Sequence, residues 1–425
     1  MHTQATLAAT PATLDAPIEE GERLAIVDML RGLALFGILL VNMAAFKLPT
    51  GMGRLPRAEQ GLLDRLVTQG ITLLAEGKFY SLFAMLFGFG FAIHLLRAQQ
   101  RGRPALGRFA RRLLILLLIG LGHALLIWHG DILVSYALIG LLLLLFRNAR
   151  LRTLLIWSAL LLLGAALLTA AIIGVTELAR IIPGTAAVLR ATEAQLLAQA
   201  AEEHRSYATG SYPAIVAYRA RQVLVGLSGL LFSAPTILAL FLLGLYVGKR
   251  GILHAPAAHT ALLRRVQRWC LPLGLALSLA VVLLQTRIGP VSAVSLQLLN
   301  LALAGPILAL GYGATFVLLA HRPAWQHRLR LLAPAGRMAL TNYLLQSLIC
   351  TTIFYGYGLG MFGRVSASGG LLLTLVIYSG QVIFSHWWLQ RFRFGPLEWL
   401  WRSLTYGRVQ PLRRAIAAPR QPAAS

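Results

Sequence analysis

Acidic residues are scarce in this chain: 14 Asp and Glu stand against 39 Lys and Arg in 425 residues. Charged residues of both signs make up only 12%, about half the roughly 25% usual in soluble domains. A soluble protein of this length cannot cover its surface with so few charges. The chain has two cysteines, Cys270 and Cys350, both inside apolar runs. They offer neither a disulfide framework nor metal-ligand spacing, so no metal site is expected. The phosphate-cradling GxxxxGK[ST] loop, the zinc motif HExxH and the GxSxG nucleophile elbow are all missing. That leaves no sequence case for an ATP-driven pump, a zinc protease or a typical lipase.

What the chain does have is hydrophobic residues, 57% of the total, gathered in runs of membrane-spanning length. A spanning helix needs roughly 20 predominantly apolar residues. The pattern predicts an all-α polytopic transmembrane bundle of about ten spans. These lie near residues 24–46, 78–96, 112–128, 131–146, 153–175, 223–248, 269–284, 291–320, 338–357 and 371–389.

The formal net charge of +25 invites a nucleic-acid partner, but the position of the charges excludes it. Arg and Lys fall in short clusters between apolar runs, in every second loop. Of the 39, 26 lie on one alternate side and 11 on the other, the positive-inside bias that places both ends in the cytoplasm. Anionic lipid headgroups are the expected partners of the basic loops.

The expected organisation has five parts. Residues 1–22 form a disordered cytoplasmic tail, without the basic and apolar regions of a cleaved signal peptide. Residues 23–175 form a five-span bundle, and 176–222 a polar periplasmic segment with a helix near 186–201. Residues 223–390 form a second five-span bundle. Residues 391–425 are a basic cytoplasmic tail with an interfacial helix. Within that helix Glu398 and Arg402 are spaced for an i,i+4 pair, and Trp399, Trp401 and Tyr406 for headgroup depth.

Polar groups inside spans are costly and mark function by default. In DMLRGLALFGILLVN, Asp28 and Arg31 are three apart and face one another. Asn42 is eleven residues beyond Arg31, about three turns and 16 Å along the same face. A snorkelling arginine and an amide bonded to a neighbouring helix would explain the same pattern. A second constellation is GHALLIWHGDILVSYALIG, with His123, His129 and Asp131. Histidine beside a carboxylate suits general base catalysis near neutral pH or a proton relay. It also suits a polar interfacial turn anchored by Trp128. In RMALTNYLLQS, Asn342 and Gln346 share a face and could bind a polar ligand or pin neighbouring helices.

Taken together, DMLRGLALFGILLVN, GKFYSLFAMLFGFGFA, HGDILVSYALIG, GRMALTNYLLQS and FGPLEWLWRSLTY resemble the YeiB family of bacterial inner-membrane proteins, whose domain has no assigned function. That family in turn resembles, distantly, the transmembrane acyltransferase superfamily, which includes the lysosomal heparan-glucosaminide acetyltransferase. The likeness rests on Asp-x-x-Arg-Gly with Asn eleven residues after the Arg. In the acetyltransferase branch a histidine follows in the outer loop. Here none occurs between Asn42 and His94, which moves the base to His123 or His129.

The resemblance implies transfer of an acyl group from cytoplasmic acyl-CoA to a cell-envelope acceptor. Arg31, Arg111 and Arg112 would hold the donor's phosphates. Asn42 would polarise the thioester carbonyl or hold the acceptor, and His129 with Asp131 would deprotonate it. A proton-coupled transporter or flippase using the same residues is the alternative, and a non-enzymatic assembly protein a third reading. Broken spans would favour transport.

Overall fold

The computed structural model describes residues 24–49, 61–100 and 106–414. The expected tail at 1–22 lies outside them. The described residues contain no strand, only an isolated antiparallel bridge between Phe392 and Arg413. The all-α expectation holds.

In chain order the helices begin with α1 (Ala25–Lys47), α2 (Leu62–Leu74), α3 (Lys78–Gln100) and α4 (Leu106–Leu126). Next come α5 (Leu133–Leu142), α6 (Leu151–Ile181), α7 (Pro183–Thr209) and α8 (Tyr212–Lys249). They continue with α9 (Thr260–Gln285), α10 (Pro290–Ala302), α11 (Ala304–Ala320) and α12 (Pro323–Arg330). The last four are α13 (Ala333–Arg337), α14 (Ala339–Phe354), α15 (Ala367–Arg391) and α16 (Pro396–Tyr406).

Among the described residues eight segments are long and apolar enough to cross a membrane, and Leu133–Phe146 and Ala339–Phe354 are shorter apolar helices. The chain is a multi-pass membrane protein. Its outer surface agrees: Leu160, Leu163, Leu167, Leu231 and Phe232 are exposed. Helix α6 is apolar nearly all round yet buries only Leu154, Ser158, Ala165, Ala166 and Thr169. A helix with one narrow stripe of mostly small residues against protein and the rest apolar has lipid as its solvent.

Small residues set the closest helix approaches. A Cβ at Gly88 would stand 2.0 Å from the Phe241 carbonyl oxygen, and one at Gly244 only 1.9 Å from that of Met85. Helices α3 and α8 therefore touch backbone to backbone, each supplying a glycine. The same device joins α1 to α13: a Cβ on Gly32 would meet the Leu332 carbonyl at 2.3 Å, and one on Gly336 that of Asp28 at 1.8 Å. The two larger hydrophobic cores both draw on helices from before and after α7.

Two segments depart from the sequence expectation. Residues 291–320 read as one span, but the helix is interrupted at Leu303 (φ −120°, ψ −71°), giving α10 and α11. The polar stretch at 176–222 is helical almost throughout: α6 runs on to Ile181, α7 fills Pro183–Thr209, and α8 begins at Tyr212. Pro183 and Pro213 sit in the first turns of α7 and α8, where a missing N–H costs nothing.

Candidate functional site

Helix α4 ends at Leu126, and the chain turns through Trp128-His129-Gly130-Asp131 into α5. Asp131 Oδ1 accepts the Val134 N–H at 2.7 Å, capping the first turn of α5, where a carboxylate also meets the positive end of the helix dipole. Gly120 lets α5 come this close, since a Cβ there would stand 2.8 Å from Val134 N and 3.0 Å from Asp131 Oδ1.

The other carboxylate oxygen, Oδ2, lies 2.6 Å from His123 Nδ1. With a carboxylate as acceptor, the imidazole proton sits on Nδ1, and Nε2 is left with its lone pair. Both side chains are sealed from solvent, at 0% and 2% exposure. Nε2 has no hydrogen-bond partner. The Tyr343 ring lies 5.2 Å from the imidazole, and the Tyr343 hydroxyl receives the Ile132 N–H at 3.3 Å. Histidine held by a carboxylate at one nitrogen and unpaired at the other is the arrangement of a general base.

The structure thus corrects the expected pairing of His129 with Asp131. His129 instead exchanges a 2.7 Å hydrogen bond with the Tyr207 hydroxyl and stacks on that ring at 5.8 Å. Burial, helped by the Arg219 charge, lowers its pKa to about 4. Histidines six residues apart fall on different sides of a helix, and the turn separates them further.

At the far end of α4 lies a basic cluster. Arg31 Nη1 is 3.2 Å from Asp28 Oδ1, as the i,i+3 spacing predicts. The Arg112 guanidinium sits 3.9 Å over the Trp401 ring of α16, and Trp401 Nε1 donates to the Arg112 carbonyl at 2.9 Å. Burial first, then the Arg112 charge, lowers the Arg402 pKa to about 10, with Arg31 contributing in the same direction. Three arginines therefore feel one another, with the Asp28 carboxylate bonded to one of them. Arg111 is exposed, with its guanidinium beside Gly407 rather than within the cluster. A converging set of guanidinium groups is suited to phosphate oxygens.

Other candidates separate from these two centres. Asn42 is half-buried on α1, and no side chain among the described residues hydrogen-bonds to it. Asn342 Nδ2 donates to Ala335 O at 3.1 Å and Ser385 Oγ at 2.9 Å. Gln346 Nε2 donates to Gln381 Oε1 at 2.9 Å. Both amides pin α14 to its neighbours, and Asn342 Oδ1 is buried without a hydrogen-bond partner. Glu398 is not paired with Arg402. It accepts the backbone N–H groups of Leu340 and Thr341 and the Thr341 hydroxyl, at 2.7, 3.0 and 2.6 Å, so α16 caps α14 from another helix. Arg402 instead lies 4.6 Å over Phe394.

Sequence reasoning missed Arg219 and Tyr207. Arg219 reads as flanking charge before an apolar run. Its signal is that Tyr212, Ile215 and Arg219 recur at helical spacing, which would have started α8 about three turns earlier.

The family model "Protein of unknown function (DUF418)" matches residues 247–408. The chain is 36% identical to uncharacterized protein YxaH of Bacillus subtilis, over 93% of this chain and 97% of that protein. It is 32% identical to uncharacterized protein YeiB of Escherichia coli, over 92% and 98% respectively. An uncharacterized 39.9 kDa protein in the amylase 3′ region of Bacillus acidopullulyticus is 29% identical, over 93% and 97%. No solved structure matches the chain.

Proposed function

For this chain, which belongs to the YeiB-like DUF418 family, we propose a membrane-embedded acyltransferase that moves an acyl group from acyl-CoA to a cell-envelope acceptor. The observation that carries this reading is the sealed His123–Asp131 pair with its unpaired Nε2. In the proposed topology of ten spans with both termini inside, the α16 end faces the cytoplasm of a bacterial inner membrane. Arg31, Arg112 and Arg402 then hold the donor's phosphates, and His123 works nearer the opposite side.

In the proposed reaction the acceptor's hydroxyl or amine attacks the thioester carbonyl. Its proton passes to His123 Nε2, the carbon–sulfur bond breaks, and the proton leaves with the coenzyme thiol. Asp131 stabilises the imidazolium and holds the ring in place. No metal is required. Membrane lipids surround the bundle, and the basic loops suit anionic headgroups.

The test is acyl-CoA binding to the detergent-purified protein, by titration and thermal shift. Saturable binding by wild type that is lost in Arg31→Ala supports the donor site. A folded, monodisperse protein that binds neither acetyl-CoA nor a long-chain acyl-CoA overturns it. One observation favours a second reading, a proton-coupled transporter: the break between α10 and α11. Interrupted helices commonly frame transporter binding sites. Here Asn300 in α10 is buried and donates to the Glu76 carbonyl at 3.3 Å, beside the contact of Gly305 with the Gly77 backbone.

A further inference from the structure

Across Trp128 from the His123–Asp131 pair lies a second buried polar cluster. The rings of His123 and His129 are 6.5 and 6.2 Å from that of Trp128. Beyond His129 stand Tyr207 of α7, Arg219 of α8 and Tyr355 at the end of α14. Tyr207 and Tyr355 stack at 4.2 Å, and the Arg219 guanidinium lies 5.9 and 5.4 Å from their centroids.

Arg219 is the largest wholly buried side chain among the described residues, at 0% exposure. It donates one hydrogen bond, from Nη1 to the Leu126 carbonyl at 2.7 Å. Its Nε and Nη2 have no partner, nor does the buried Tyr355 hydroxyl or Trp128 Nε1. Buried polar groups in native proteins are nearly always hydrogen-bonded. A buried guanidinium left with two unmet donors is costlier still.

The unmet groups are of one kind. Arg219 Nε and Nη2 form the edge of the guanidinium that grips two oxygens of one planar anion. The Tyr355 hydroxyl can add a donor, and aromatic faces wall the guanidinium. The Tyr207 hydroxyl is engaged by His129 and also lies within reach of the Arg219 guanidinium. Glu203, itself buried, is the carboxylate near these tyrosines.

We propose that Arg219, with Tyr355, forms a buried binding site for an oxyanion, the carboxylate or phosphate of a small ligand, next to the His123–Asp131 pair. The site stands whether the pair serves acyl transfer or proton relay.

The experiment uses full-length protein in detergent with inorganic phosphate and acetate as probes, each titrated by thermal unfolding and tryptophan fluorescence. An Arg31→Gln background removes an anion-binding residue at the other end of the bundle. Either probe should raise the unfolding midpoint saturably in wild type and in Arg31→Gln. Arg219→Gln should abolish the shift, and Arg219→Lys should weaken the probe about tenfold or more, as expected for loss of a bidentate charged contact. Tyr355→Phe keeps the ring stacking and removes only the hydroxyl, so it tests the site even if Arg219→Gln does not fold. Its expected effect is a several-fold loss of affinity. Phosphate acting alone assigns a phosphate ester, and acetate alone a carboxylate. No shift with either probe, or a shift undiminished in Tyr355→Phe and in folded Arg219 variants, overturns the proposal.

Discussion

Arg112 and His123 stand eleven residues apart on α4, three turns and about 16 Å along one face, and each is fixed by a different partner. Arg112 lies over Trp401, and His123 is bonded to Asp131. Arg31 and Asn42 repeat this spacing on α1. The separation makes binding and chemistry distinguishable in the acyltransferase reading. Arg112→Ala should weaken acyl-CoA binding about tenfold or more. His123→Gln should leave that binding intact and lower transfer by roughly 10²–10⁴-fold, the range for a lost general base. A His123→Gln protein that loses donor binding would contradict the division of labour.

Asp131 does two jobs, and they can be read separately. It caps α5 through Val134 and orients His123. Asp131→Ala should cost about 1–2 kcal/mol of stability through the cap. Nitrogen NMR of labelled histidine should show His123 carrying its proton on Nδ1 in wild type and a mixture of tautomers in the variant. A wild-type spectrum with the proton on Nε2 would sink the general-base geometry.

The residues best read from the sequence are those that interact locally. Asp28 with Arg31 follows from helical spacing alone, and the apolar runs announce the spans because lipid leaves no other solvent for them. Contacts across long separations were not legible. Nothing local distinguishes His123 from His129 as the partner of Asp131, because the angle of the turn decides it. Glu398 lies 58 residues from Leu340, whose N–H it accepts, so the i,i+4 rule offered Arg402 instead. Arg219 was hidden for another reason: charge near an apolar run is ordinarily an interfacial flank, and only the packing of α7 makes it internal.

His129 should give the protein an acid-sensitive step. Its folded-state pKa, held down to about 4 by burial and by Arg219, lies below the unfolded value near 6.5. Between these values the unfolded chain binds the extra proton, so stability is full above about pH 6.5 and falls as pH drops toward 4. Thermal unfolding midpoints measured from pH 7.5 to 4.5 should decline in wild type. The decline should be shallower in His129→Gln. Parallel curves would show that other groups carry the acid response.

The glycine contacts between α3 and α8 should tolerate no side chain. Gly244→Ala places a Cβ 1.9 Å from the Met85 carbonyl oxygen, and backbone cannot rotate away as a side chain can. Helix separation must increase, forfeiting packing along the contact. The expected cost is about 1–3 kcal/mol, as for other overpacked interiors, seen as a lowered unfolding midpoint in detergent. Gly226, on the same helix, is the control, because a Cβ there would have nothing within 4 Å. Gly226→Ala should be neutral or slightly stabilising.

Helix α16 is fastened to α14 and to α4, and cutting either attachment should loosen it. Glu398 receives two N–H groups and one hydroxyl at the start of α14, while Trp401 bonds α4 at the Arg112 carbonyl. Glu398→Ala leaves three donors without their acceptor and should cost about 3 kcal/mol. Trp401→Ala removes the ring beneath Arg112 as well as one hydrogen bond, so it should also weaken acyl-CoA binding in the proposed donor site. Limited trypsin digestion reads the release, because Arg402 lies within the helix and Arg408 just beyond it. Both variants should be cut faster at Arg402 than wild type. Burial also holds the Glu398 carboxyl above its usual range, against the lowering effect of its hydrogen bonds. The folded state therefore takes up this proton first as pH falls. Through that interval acid adds stability at Glu398, opposite in sign to His129. Glu398→Gln removes the titration, so the wild-type curve should fall more gently with acid than that of the variant. A steeper wild-type curve would mean that Glu398 is not the buried carboxyl described here.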